Sequence, residues 1–152
     1  MSVPKIVIHT DVFLNHLCGA EKPSVLRQAM SKFFCYTTVF QAIELFSLAR
    51  TEREFQAVED AMAAMKLLGL NPKNARKYGE LLASNRKVDS WNILIAGLCL
   101  ESRLPLLTDR KRDFGGLKDL VIVPTKLVGL RNSAEEILRA VQQRSLSLRE
   151  AS

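Results

Sequence analysis

The chain has 152 residues, 47% of them apolar and 25% charged, which fits one globular domain with a core of its own. No apolar run is long enough to cross a bilayer, and residues 1–9 lack the apolar segment of an export signal, so membrane and secreted classes are set aside. Lysine and arginine total 22 against 16 acidic residues, a formal charge of +6; this suits a polyanionic partner such as RNA, and equally a plain solvated surface.

Lys5-Ile-Val-Ile-His-Thr reads as a strand covered on both faces, because Ile6, Val7 and Ile8 run without alternation. Asp11 follows, placed to cap a short helix through Leu17 that Gly19 ends. Pro23 opens a second helix carrying Val25, Leu26 and Met30 to about Phe34, and Cys35-Tyr36-Thr37 suits a short strand. Thr37 or Thr38 caps a third helix, with Val39, Ile43 and Phe46 on one face and Glu44 in its middle among apolar neighbours. After a polar break over 50–54, a helix to about Leu68 is expected to bury Phe55, Val58, Met62 and Met65. Gly69 stops it, and Asn71-Pro72 starts another that carries Tyr78, Leu81 and Leu82.

The stretch from Val88 to Phe114 organises the rest. Trp91, Ile93, Leu94, Ile95, Ala96, Leu98, Cys99 and Leu100 predict a helix enclosed by protein, with Asp89 placed to cap its first turn. Leu104 to Thr108 reads as a central strand that delivers Asp109 into DRKRD. Gly115-Gly116 is a turn, Leu120 to Pro124 a last buried strand, and Asn132-Ser133 the cap of an amphipathic helix with Ile137, Leu138 and Val141 inward. Residues 1–145 are read as one domain and 146–152 as a disordered tail. Strands separated by helices predict an α/β fold of three layers, α/β/α, around a parallel sheet of about four or five short strands.

Dinucleotide and P-loop glycine motifs, nucleophile elbows and HExxH are absent. His9 and His16 have no partner at ligand spacing, and Cys18, Cys35 and Cys99 suit reduced thiols in a cytosol. Acidic residues remain: Asp11 and Asp109 after strands, Asp89 at a helix start, Glu44 mid-helix and Asp113 close to Asp109. Ligands of open α/β sheets sit beyond the strands' carboxyl ends, and carboxylates gathered there repel unless a cation joins them. Mg²⁺ or Mn²⁺ would suit hard oxygens and could align water on a phosphodiester. Each acid has a plainer reading: Asp11 and Asp89 as caps, Glu44 in a salt bridge, and Asp109 and Asp113 paired with Arg110, Lys111 and Arg112. Those three bases form a solvated loop or, beside a cation, a phosphate grip. His9 suits a satisfied core histidine, and Asn92, on the same helix face as Asp89, needs amide partners.

IVIHTDVFLNHL, TTVFQAIELF and NILIAGLCLESRLPLLTDRKRDF, in that order, resemble the PIN-domain family, in particular its small single-domain toxin nucleases of VapC type. The similarity runs to about Pro124. It implies a three-layer fold, an acidic Mg²⁺- or Mn²⁺-binding site, cleavage of RNA, an antitoxin protein as partner and a homodimer; the apolar stripes of the helices of residues 23–68 suit its interface or ordinary core. Glu44 falls on the family's helical glutamate and Asp113 on its aspartate before phenylalanine. The first aspartate falls on His9, with Asp11 two residues on. The third acid falls on Asn92, with Asp89 one turn earlier. The fourth falls near Arg110, with Asp109 adjacent.

Two readings follow. In one, Asp11, Glu44, Asp89, Asp109 and Asp113 make the catalytic set, all but Asp89 holding the cation, lined by His9, Thr10, Asn92 and Thr108, with Arg110, Lys111 and Arg112 on phosphate. In the other, the fold persists as a catalytically impaired RNA- or protein-binding module. A phospho-acceptor signalling domain shares strand-end acids, and Lys126 follows the last strand, but Thr10-Asp11 supplies only one acid.

Overall fold

Ile6, Val7 and Ile8 are wholly buried, and they divide between two cores: Ile6 and Ile8 pack on one side of the sheet, Val7 on the other, as the period of two along a strand requires. A computed structural model describes residues 3–19, 22–129 and 131–150, with side chains up to residue 144. The strands are β1 (Lys5–Ile8), β2 (Phe34–Thr38), β3 (Lys66–Leu68), β4 (Leu106–Leu107) and β5 (Ile122–Val123). All pair in parallel, in the order β3-β2-β1-β4-β5. The helices are α1 (Thr10–Leu17), α2 (Val25–Lys32), α3 (Val39–Leu48), α4 (Glu52–Ala63), α5 (Ala75–Ser84), α6 (Ser90–Ser102) and α7 (Ala134–Glu150). None of the described helices is long and apolar enough to cross a membrane.

One core joins β1 to Phe13, Leu26, Leu45, Met62 and Ile137 from α1, α2, α3, α4 and α7. The second joins Val7, Tyr36 and Leu106 to Ile95, Ala96 and Cys99 of α6 and to Phe114. This is the three-layer α/β/α arrangement expected. Burial pushes the thiols of Cys35 and Cys99 up to about 12, so both stay protonated and inert in the core. Gly97 lets α5 close onto α6, since a Cβ there would collide with the ring of Tyr78.

Several local expectations change. The fourth helix ends at Ala63, and Lys66–Leu68 pairs with Tyr36–Thr38 as an edge strand; three residues carry too little periodicity to signal a strand, and pairing decides. In α3 the buried side is Gln41, Ala42 and Leu45, while Ile43 stands 50% exposed. The turn is set by the Thr38–Gln41 capping box. Phe55 is partly exposed and stacks on Phe46, ring centroids 6.2 Å apart. Ser24 rather than Pro23 caps α2, accepting the Arg27 N–H. Helix α7 continues beyond residue 145, where the sequence reading placed a tail, up to Glu150; residues 151–152 lie outside the described residues. Ser133 caps its start by accepting the Glu136 N–H.

From β1 the sheet grows one way through β2 and β3 and the other way through β4 and β5. The reversal lies between β1 and β4, so the crevice where such sheets bind ligands opens at the carboxyl ends of those two strands. His9, Thr10 and Asp11 leave β1 there, and Thr108 and Asp109 leave β4.

Candidate functional site

The floor of this crevice is a closed hydrogen-bond network centred on Asp11. Asp11 stands in the first turn of α1 but caps nothing: the N-cap position is His9, which makes no side-chain capping bond. Instead the Thr108 hydroxyl donates to Asp11 Oδ1 at 3.0 Å, the Asp109 N–H donates to Oδ2 at 2.9 Å, and His9 Nδ1 lies 3.2 Å from Oδ1. The Arg110 N–H donates to the Thr108 oxygen at 3.0 Å. An ionised carboxylate only accepts, so Nδ1 of His9 carries the proton of this contact. His9 Nε2 is buried without a partner, and the ring meets Phe114 edge-on at 5.3 Å. Burial works to raise the pKa of Asp11, but the bonds and charge of His9 and the donors of Asp109 and Thr108 outweigh it and hold the carboxyl below its ordinary value.

Glu44 belongs to the wall. Gln41, fully buried, donates through Nε2 to the Ile8 carbonyl at 3.2 Å, which fixes the start of α3 to the end of β1. One turn on, Glu44 accepts the Thr10 hydroxyl at 3.2 Å. Across the opening stands the start of α6: Asp89 at the N-cap without a capping bond, then Trp91, then Asn92. Asn92 donates to the Asp113 carbonyl at 3.3 Å, tying α6 to the 3₁₀ turn Lys111–Phe114. The Arg110 guanidinium lies 3.6 Å from the Asp113 carboxylate. Floor and walls enclose a cleft of about 420 Å³ that His9, Thr10, Asp11, Glu44, Asp89 and Asp113 share.

Four of the five expected acids therefore line one cleft, and the fifth leaves it. Asp109 turns outward: Thr125 donates to it from its N–H at 2.9 Å and from its hydroxyl at 2.5 Å. It borders instead a second hollow, with Lys111, Arg112 and Gly116. The backbone explains the correction. With the Asp109 N–H held inward by Asp11, the side chain points toward the residues after β5. Thr10 lines the cleft, while Thr108, expected to line it as well, lies buried beneath it and reaches it only through its bond to Asp11.

A Mg²⁺ or Mn²⁺ site needs several carboxylate oxygens with free lone pairs aimed at one point. Here Asp11 spends both oxygens on its neighbours, Asp109 faces Thr125 and Asp113 faces Arg110. Among the described residues no group of three or more His, Cys, Asp or Glu is placed to hold a metal ion. The side chains as arranged do not fit that cation.

Three contributors are not among the expected site residues. Gln41 was legible as the last residue of a T-x-x-Q capping box. Thr125 carried no signal. Trp91, expected inside an enclosed helix, is 41% exposed at the mouth of the cleft, because burial in α6 begins only at Ile93.

No family model and no curated protein matches the chain. Solved structures do. VapBC2 from Rickettsia felis, bound to a DNA fragment from its promoter, matches with a TM-score of 0.67 at 14% identity over 79% of this chain and 98% of that one. VapBC-1 from nontypeable Haemophilus influenzae matches with 0.66 at 16% identity over 80% and 98%. A toxin–antitoxin complex from Klebsiella pneumoniae matches with 0.60 at 18% identity over 76% and 95%. At these identities the likeness establishes the fold: a PIN-like α/β fold of VapC type.

Proposed function

We propose that this chain is a PIN-type protein of the toxin side of a toxin–antitoxin pair, and that its cleft binds RNA with metal-dependent cleavage impaired. The observation that supports this most is the charge arrangement at the switch point: Arg110, Lys111 and Arg112 stand exposed at the lip, while Asp11 behind them is held by Thr108 and Asp109 and Asp113 faces Arg110. Guanidinium and ammonium groups at the lip would hold phosphate by charge-assisted bonds. The carboxylates of Asp11, Glu44 and Asp89 would repel phosphate from the floor. The likeness to toxin–antitoxin structures supports an antitoxin chain as protein partner; a cytoplasmic setting and a homodimer belong to the same proposal. Met30, Phe34 and Leu48 are exposed apolar side chains within residues 23–68 that such a dimer could draw on.

A metal-dependent ribonuclease is the second reading, because Asp11, Glu44, Asp89 and Asp113 do line a single cleft. One assay separates the two: labelled single-stranded RNA is followed for binding across a salt series and for cleavage with Mg²⁺ or Mn²⁺. Binding that weakens with salt and leaves the RNA intact supports the first reading. Cleavage that Glu44→Gln abolishes would establish the second.

A further inference from the structure

Trp91 is the one tryptophan of the chain, and its indole is exposed at the mouth of the cleft beside Asn92 and Arg110. Large aromatic rings are mostly buried, and an isolated exposed one often means nothing. This ring is held in place. Phe40 meets it at 85° with centroids 5.4 Å apart. Whichever ring presents its edge, at least one face of the indole stays outside the contact. The surroundings select what can lie on that face. Asp89 and Asp113 share the mouth with it, so a phosphate is disfavoured there, whereas a nucleobase carries no charge. The basic run 110–112 offers phosphate a place at the adjoining lip. Single-stranded nucleic acid supplies both groups, with bases free to stack on aromatic faces; a duplex keeps its bases stacked on one another.

We infer that Trp91 is a base-stacking platform for single-stranded RNA, seating one nucleobase on its indole while Arg110 and its neighbours hold the flanking phosphates. The inference rests on the proposal that the cleft binds RNA, and its test keeps the two apart. The full chain is titrated with oligoadenylate, with an RNA duplex and with inorganic polyphosphate, reading tryptophan emission and, in parallel, the anisotropy of labelled ligand. Oligoadenylate is expected to quench the emission and polyphosphate to leave it unchanged. Trp91→Ala should weaken oligoadenylate about tenfold, the size of one lost stack, with polyphosphate affinity kept, and Trp91→Phe should recover most of the loss. Tight oligoadenylate binding with unchanged emission and an unaffected Trp91→Ala overturns the platform and leaves RNA binding standing; so does tighter binding of the duplex. No binding of any nucleic acid overturns both. Unchanged emission with every nucleic acid, together with self-association that Trp91→Ala abolishes, makes the indole a protein-docking residue and also overturns it.

Discussion

Asp11 and Glu44 line the same cleft and are held in opposite ways. Asp11, on the floor, accepts two hydrogen bonds from Thr108 and Asp109 and contacts His9; the network joins distant parts of the chain, is mostly buried and uses both carboxylate oxygens. Glu44, on the wall, accepts one hydrogen bond from Thr10 on a helix half open to solvent. A buried carboxylate held by several donors rigidifies a structure, whereas a half-exposed carboxylate with one partner contributes little to stability. The floor therefore joins β1 to β4, and the wall remains available for a ligand. Sequence position alone ranks these acids together, while their hydrogen bonds set them apart.

The contrast can be broken at several points. The largest effect is expected from Thr108→Val on the floor. It strands the Arg110 N–H and takes a donor from Asp11, and should lower unfolding free energy by about 2–3 kcal/mol in a urea titration. A stable Thr108→Val would show that the network is not structural. Next is the lip: replacing Arg110, Lys111 and Arg112 together by alanine should weaken RNA binding about tenfold or more and flatten its log–log salt dependence by about 2, with stability changed by less than about 0.5 kcal/mol. An unchanged slope would move the phosphate grip elsewhere.

Smaller and more diagnostic is Asp11→Asn, worth about 1–2 kcal/mol near neutral pH. The folded-state pKa of Asp11 lies below its ordinary value of 3.8. Its contribution is thus complete above 3.8 and is lost as the pH falls through the folded value. The gap in urea midpoint between parent and Asp11→Asn should close below pH 3.8; a gap that persists into acid would mean that the charge of Asp11 is not what the floor uses. Smallest is Glu44→Gln, expected to change stability by less than about 0.5 kcal/mol. A large loss there would make the wall structural too.

Much of this was readable beforehand, for physical reasons. Ile6 to Ile8 announce a doubly covered strand, Thr37 or Thr38 a cap, and Glu44 a carboxylate among apolar neighbours in the middle of its helix. The chain resembled VapC-type PIN domains from its motif order, and the fold agrees. The site was harder. Asp11, Glu44, Asp89 and Asp113 line one cleft, but the partner each takes is a matter of long-range contacts. That Asp109 turns to Thr125 depends on β5 lying beside β4, which no local pattern encodes. Trp91 was misplaced because the apolar residues around α6 hide which end of that helix emerges from the core.

The central claim is that Asp11, Asp109 and Asp113 are engaged within the chain, which leaves Glu44 and Asp89 too few to make a ready cation site of the cleft. Titrating the intact protein with Mn²⁺ in a calorimeter tests it most directly. The structure predicts no saturable binding up to roughly millimolar Mn²⁺, in parent and Glu44→Gln alike. A one-to-one isotherm in the parent that disappears in Glu44→Gln would contradict the account and make the cleft a metal centre.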